Sequence, residues 1–203
     1  MSDITRRQAL TVLGAASIAA ALPRPVRANL PPHVLRAARA AEEALLLGGY
    51  EPKFFTPAEW RAVRLLGDLI IPRDERSGSA SDAGVPEFID FTVDDREFHQ
   101  VPIRGGLAWL DTECTERFGS VFADCTDAQR AVILDAIAWP DRADPEMSQG
   151  VAFFNRFRDL VATGFFTSQI GIEDLRYMGN TYVTEWNGCP PEACRHLGVS
   201  YGG

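Results

Sequence analysis

Four cysteines have the clearest capacity for covalent or metal chemistry in this sequence: Cys114, Cys125, Cys189 and Cys194. A zinc site usually needs Cys-x-x-Cys spacing or nearby histidines, and neither local pair of cysteines has that spacing. An even number of cysteines favours disulfides in a chain that reaches an oxidising compartment. We therefore predict two local disulfides, 114 with 125 and 189 with 194, while the other connectivities stay open.

The histidines and the paired carboxylates form no catalytic pattern. His99 lies in the charged stretch DDREFHQ, which predicts a loop and a solvated imidazole. His33 is expected in a linker, and His196 at a surface or an interface. The carboxylate pairs at residues 74–75 and 94–95 are expected in solvated turns, without a buried basic group beside them.

Motifs that hold cofactors or activate nucleophiles are missing from the sequence. It contains no Gly-x-Gly-x-x-Gly, no P-loop, no Gly-x-Ser-x-Gly and no Cys-x-x-Cys-His. The cysteines are also spaced unlike those of ferredoxins. We predict that this chain has no catalytic residue, no metal site and no cofactor of its own, which is typical of a subunit rather than an enzyme.

Helical signals dominate the central part of the chain. Thr56, Pro57 and Glu59 form a capping box, and apolar residues then follow at steps of three and four. Thr126 and Gln129 repeat the arrangement. No run of alternating β-branched residues has the length of a strand, so the pattern predicts an all-α fold.

Further helices are predicted over residues 34–47, from residue 86 onward, over 107–118 and over 150–164, where Gly164 would cap the last of them. The stretch FHQVPIRGG, before residue 107, is expected to be a connector. Together these segments predict one compact helical domain of about five to seven helices.

The C-terminal segment has a different composition. Its sequence GFFTSQIGIEDLRYMGNTYVTEWNGCPPEACRHLG is rich in glycine and aromatic residues, and it shows only one short helical stretch, residues 172–177. Such a tail cannot bury itself well, so we predict that it is irregular and that it contacts a partner. The predicted partner-binding residues are Phe165, Phe166, Tyr177, Asn180, Tyr182 and Trp186.

The N-terminus resembles an export signal. Arg6 and Arg7 precede an apolar run over residues 9–22, which is too short for a spanning helix of about 20 residues. The arginine pair is similar to a twin-arginine signal, with cleavage expected after Ala28. We therefore divide the chain into a signal, residues 1–28, and one helical domain, residues 29–203. A plain amphipathic N-terminal helix is the alternative.

The charge of the chain limits its partners. Its formal net charge is −8, and loss of the arginine-rich signal would make it more acidic. An acidic surface argues against nucleic acid and against anionic membranes as partners. No other segment is long and apolar enough to span a membrane.

Three blocks of sequence resemble a known family. They are FFTPAEWRAVRLLGDLIIPRDERSGSASDAGVPEFID, GLAWLDTECTERFGSVFADCTDAQRAVIL and the C-terminal block quoted above, and they cover residues 54–198. In order and together they are similar to the small, or gamma, subunit of gluconate 2-dehydrogenase-type sugar dehydrogenases, the subunit 3 family.

The resemblance implies a non-catalytic chain with a partner. The partner would be a large glucose-methanol-choline-type flavoprotein that carries FAD, and a multihaem cytochrome c subunit with haem c often completes such complexes. The small subunit of the family often carries the only twin-arginine signal. The resemblance therefore implies a chaperone and co-export role, with the twin-arginine translocase as a further partner and the periplasm as destination. The complex would also associate with the inner membrane if the signal stays uncleaved.

Two other functions stay open on the sequence alone. One is a free-standing periplasmic binding or scaffold protein without an oxidoreductase partner. The other is an enzyme or redox subunit with its own cofactor, which an absorbance spectrum would reveal. The sugar or polyol that the complex oxidises is not encoded in any motif of this chain.

Overall fold

A computed structural model describes residues 30–176, 184–185 and 188–200, and within them it is entirely helical, with eight α-helices, two 3-10 turns and no strand. The α-helices are α1 (Pro32–Leu47), α2 (Pro57–Ile70), α3 (Val85–Asp95), α4 (Glu97–Phe118), α5 (Asp127–Ile137), α6 (Ser148–Thr167), α7 (Gln169–Asp174) and α8 (Pro191–Leu197). The 3-10 turns are Phe122–Asp124 and Pro145–Met147. The predicted all-α class is confirmed. The helices outnumber the expected five to seven because α8 forms in a segment that the sequence predicted to be irregular.

Helix α3 is the centre of the domain, because it packs against α1, α2, α4 and α6. Its residues Val85, Phe88, Ile89 and Val93 are buried in one continuous core with side chains from these neighbours. Gly84 precedes the helix with a positive φ of 75°, a conformation that glycine adopts without strain. This turn brings the chain back from the loop after α2 into the middle of the bundle.

Both predicted capping boxes are present. The Thr56 hydroxyl accepts a hydrogen bond from the Glu59 N–H at 3.3 Å, and the Glu59 carboxylate accepts one from the Thr56 N–H at 2.8 Å. Thr126 and Gln129 make the same reciprocal pair at the start of α5. Each box satisfies two backbone donors that would otherwise lack partners at a helix start.

Helix α4 is longer than the sequence predicted. The stretch expected to be a connector is helical from Glu97 onward and includes Pro102 in the helix interior. The prediction was wrong because Gly and Pro weaken helix propensity locally, whereas burial of Ile103 and Leu107 against neighbouring helices stabilises the helical conformation. Gly119, with a φ of 73°, ends the helix as predicted.

Helix α6 also continues past its predicted end. Gly164 is an interior residue rather than a cap, and the helix runs on to Thr167. A Cβ added at Gly164 would lie 2.8 Å from Cδ1 of Phe88, so glycine permits the close approach of α6 to α3. The predicted apolar face of α6, including Phe153 and Phe157, is buried.

Helix α7 begins earlier than the short helix that the sequence predicted over residues 172–177. It spans Gln169–Asp174 because the Ser168 hydroxyl caps it by accepting a hydrogen bond from the Gly171 N–H at 3.1 Å.

None of the helices in the described ranges is both long and apolar enough to cross a membrane.

Candidate functional site

The described part of the chain contains no cluster of three or more His, Cys, Asp or Glu side chains that could hold a metal ion. Several of the predicted functional residues lie outside the described residues: Arg6 and Arg7 of the export signal, and Tyr177, Asn180, Tyr182 and Trp186 of the partner surface. Their roles stay predictions.

Phe165 and Phe166, the two described members of the predicted partner surface, have opposite environments. Phe165 is 1% exposed and belongs to the core, whereas Phe166 is 39% exposed and packs edge-on against it. Placing Phe165 on an exposed surface was therefore wrong. Consecutive residues on a helix point in directions about 100° apart, so a buried residue can have an exposed neighbour.

A shallow groove of about 240 Å³ lies between α1 and α7, close to the start of the C-terminal segment. Leu45, Leu46 and Ile170 supply apolar surface to this α1–α7 groove. Its polar lining includes the carboxylates Asp82 and Glu173. The groove is therefore apolar with an acidic rim.

An ion pair ties the end of α7 to the loop after α2. The Arg76 guanidinium donates to the Asp174 carboxylate at 2.7 Å and to the Asp174 carbonyl at 3.2 Å. Asp74 in turn accepts hydrogen bonds from the backbone N–H groups of Arg76 and Ser77, both at 2.8 Å. These backbone bonds lower the pKa of Asp74. Asp74, the first residue of the carboxylate pair at 74–75, therefore stabilises the loop after α2.

Cys114 and Cys125 are brought together as buried thiols, close enough for a side-chain hydrogen bond between them. Burial, followed by the neighbouring Cys125, raises the pKa of Cys114 to about 12. The Cys125 thiol also donates to the Ser120 carbonyl at 3.5 Å. In the other predicted pair, the Cys194 thiol donates to the Cys189 carbonyl at 3.8 Å. The structure therefore places the members of each pair near one another, and disulfide formation stays a prediction.

Asp90 is the most heavily bonded carboxylate of the described residues, and the sequence analysis missed it. Its fully buried side chain accepts a hydrogen bond from the Tyr50 hydroxyl at 2.6 Å and from the Lys53 N–H at 2.8 Å. The other oxygen accepts from the N–H groups of Phe54 and Phe55 at 3.0 and 3.1 Å. Asp90 thus fixes the segment that leads into α2. Its sequence signal was an acid, one of two, within the largely apolar stretch PEFIDFTV.

The neighbouring acid on α3, Glu87, is also buried. Burial raises the pKa of Glu87, while the charge of Arg64 acts in the opposite direction. Its Oε2 has no hydrogen-bond partner among the described residues. Burial and the hydrogen bond to Asp90 also raise the pKa of Tyr50, so this hydroxyl stays a donor at physiological pH.

His99 lies on α4 rather than in a loop, and its ring stacks on Phe98 with centroids 4.1 Å apart. Burial lowers the pKa of His99, and the charges of Arg156 and Arg96 lower it further. His33 is likewise on a helix, at the start of α1, and burial followed by Arg96 lowers its pKa. Both imidazoles were expected in irregular segments, and both are held in the region where α1, α4 and α6 approach one another.

Arg104 connects α4 to the start of α2. Its Nε donates to the Glu59 carboxylate at 2.8 Å, and its Nη2 donates to the Phe54 carbonyl at 2.8 Å. The guanidinium also lies over the Phe54 ring, 4.0 Å from its centroid. The FFTPAEW block is therefore fixed from both sides, by Asp90 and by Arg104.

These features define a class of protein before any comparison. The described residues form a small helical domain whose best-bonded polar groups fix its own loops, and whose α1–α7 groove is open and largely apolar. Such an arrangement suits a protein that binds another protein.

The chain belongs to the gluconate 2-dehydrogenase subunit 3 family, whose model matches residues 57–187. Neither a curated protein nor a solved structure matches it. Membership makes the chain a subunit that associates with other subunits of a dehydrogenase complex, in agreement with the resemblance of its three sequence blocks.

Proposed function

We propose that this chain is the non-catalytic accessory subunit of a periplasmic FAD-dependent sugar or polyol dehydrogenase complex, and that it supports folding and twin-arginine export of the flavoprotein catalytic subunit. The observation that carries the proposal is the family match over residues 57–187. FAD belongs to the large glucose-methanol-choline-type subunit, and haem c to a cytochrome subunit where one is present.

The N-terminal sequence supports the export part of the proposal. Arg6 and Arg7 precede a short apolar run, as expected for a signal read by the twin-arginine translocase. This route carries folded proteins. A flavoprotein that must fold around FAD in the cytoplasm can therefore cross the membrane bound to a companion that carries the signal.

The test changes Arg6 and Arg7 to lysine in the full chain, co-expressed with the flavoprotein subunit. Lysine keeps the positive charge but lacks the planar, multiply donating guanidinium group. Sugar dehydrogenase activity with an artificial electron acceptor is then measured in separated periplasmic and cytoplasmic fractions. We expect the unmutated flavoprotein to accumulate in the cytoplasm, folded and active, while periplasmic activity falls to that of cells without this chain.

The matched control changes Arg24 and Arg27 to lysine, since these arginines follow the apolar run. It should export the flavoprotein normally. If the flavoprotein reaches the periplasm at its normal level while this chain carrying the Arg6 and Arg7 changes does not, co-export is wrong. A free-standing binding or scaffold protein would instead leave the flavoprotein unaffected and would not co-purify with it.

A further inference from the structure

Helices α4 and α6 pack closely through two reciprocal contacts between a glycine and an aromatic ring. A Cβ added at Gly106 on α4 would come within 1.8 Å of the Phe153 ring on α6. A Cβ added at Gly150 on α6 would come within 2.2 Å of the Trp109 ring on α4. Each helix therefore offers a glycine to an aromatic side chain of the other, and the seam between them is fixed at two points.

Beside these contacts the seam opens into a groove of about 350 Å³, referred to below as the α4–α6 groove. The groove is open because its lining includes the small residues Gly105 and Ala152, and a Cβ added at Gly105 would meet nothing within 4 Å. Pro102 contributes apolar surface along one side. Because rigid helices form both walls, the groove exists without a bound partner.

Large apolar side chains extend from the same surface. Val101, which lines the α4–α6 groove, is 81% exposed, and Phe98, one turn earlier on α4, is 59% exposed. Single exposed apolar residues need no explanation, but a groove continued by such residues is typical of a binding surface.

The one charged residue among those that line the groove is an arginine, although the chain carries a net charge of −8. Arg156 lines the groove, and Arg96 stacks over the Phe98 ring at 5.2 Å. Neither arginine forms an ion pair within the described residues, whereas most arginines there do. After burial, the charges of Arg156 and Arg96 both lower the pKa of His99.

We infer that the α4–α6 groove is a docking site for the flavoprotein catalytic subunit, which would insert an apolar side chain between Val101 and Phe153 and place carboxylates against Arg96 and Arg156. The inference rests on the proposed function for the identity of the partner. We choose an acidic segment because its carboxylates would pair with Arg96 and Arg156, neither of which has an ion-pair partner in the described residues, while its apolar side chain would fill the groove. A second copy of this chain is the alternative occupant, which the light-scattering arm of the test below distinguishes.

The α1–α7 groove gives a useful contrast. Its lining is apolar as well, but its rim carries Asp82 and Glu173 rather than arginines. Of these carboxylates, Asp82 is paired with Arg73 at 2.7 Å. The two grooves therefore differ in the sign of the charged residues that line them.

The test measures binding of the full chain to the purified, FAD-loaded flavoprotein subunit of the same organism by biolayer interferometry. Gly105→Leu fills the groove, and Arg156→Glu reverses the charge at its rim. Both positions are exposed, so we expect both variants to fold, with thermal unfolding as the check. We expect each to raise the Kd by about tenfold or more, which corresponds to at least about 1.4 kcal/mol. The Kd of the wild type should also rise with salt, and less so for Arg156→Glu.

Matched controls lie on α5 and in the loop after it. Ala131→Leu introduces the same side chain as Gly105→Leu at an exposed helix position, and Arg142→Glu reverses another arginine without an ion pair in the described residues. Both should bind like the wild type. If the groove variants bind like the controls, the inference is overturned while the proposed function stands. If the wild type does not bind the flavoprotein, both fail. If the groove variants change only self-association, measured by light scattering, the occupant is a second copy and the inference is wrong.

Discussion

Replacing Asp90 with asparagine should destabilise the domain strongly, although the substitution changes almost no side-chain volume. The carboxylate accepts four hydrogen bonds, three of them from the consecutive backbone N–H groups of Lys53, Phe54 and Phe55. An asparagine side chain has one acceptor oxygen, so its amide NH2 would face donors in place of the second carboxylate oxygen. At least one backbone N–H then loses its partner.

The magnitude follows from the number of bonds lost. A buried donor without a partner costs about 1–3 kcal/mol, and burial of a neutral amide in place of a charge offsets part of this. We therefore expect Asp90→Asn to lower the free energy of unfolding by about 2 kcal/mol. Asp90→Ala, which leaves all four donors without the carboxylate, should lower it by roughly 3–5 kcal/mol.

The assay is urea unfolding of the full chain followed by far-UV circular dichroism. Asp94→Asn, an exposed substitution on the same helix, is the matched control and should lie within about 0.5 kcal/mol of the wild type. Tyr50→Phe removes one of the four donors and should cost about 1 kcal/mol, with non-additivity in the double variant because both residues share one bond. An Asp90→Asn effect no larger than that of Asp94→Asn would refute the reasoning.

Three further predictions concern other parts of the domain. Gly106→Ala should destabilise the domain by roughly 1–3 kcal/mol, because the new Cβ overlaps the Phe153 ring. Gly105→Ala, with nothing within 4 Å of its Cβ, should stabilise the domain by about 0.5–1 kcal/mol. Urea unfolding measures both changes. Burial raises the pKa of Glu87 above 4.5, so the native state binds the proton more tightly than the unfolded state, and the stability that Glu87 contributes is lost as pH rises above 4.5. Glu87→Gln should therefore gain stability relative to the wild type between pH 4.5 and 7. A pH-independent difference between the two would contradict this. Cys114 and Cys125 should resist alkylation in the reduced folded chain and form a disulfide after export, worth about 3 kcal/mol for a loop of this length, and peptide mapping that finds both thiols free in periplasmic material would disprove the pairing.

Local signals in the sequence were sufficient wherever a few neighbouring residues decide the outcome. Thr56 with Glu59, and Thr126 with Gln129, gave the correct starts of α2 and α5, because a capping box closes within three residues of its own chain. Gly119 gave the correct end of α4 for the same reason. The all-α class followed from the periodicity of the apolar residues.

The errors arose where a distant segment decided the local structure. FHQVPIRGG is a weak helix by propensity, and it is helical because α4 packs on α6 through Gly106 and Phe153. Gly164 resembles a cap in sequence, but it is the point at which α6 approaches Phe88. Phe165 resembles a surface aromatic in a glycine-rich tail, but α6 continues through it and turns it into the core.

The sequence by itself determined the helical class, the starts of α2 and α5, the family and the expectation of an export signal, because each of these depends on residues close together in the chain. Only the tertiary structure decided the role of Asp90, which is bonded to a segment more than thirty residues earlier. It alone also placed Arg156 beside the open seam between α4 and α6, where its charge and that of Arg96 both lower the pKa of His99. Their charges act on one site because two helices distant in sequence pack side by side, and no pattern within either helix specifies that contact.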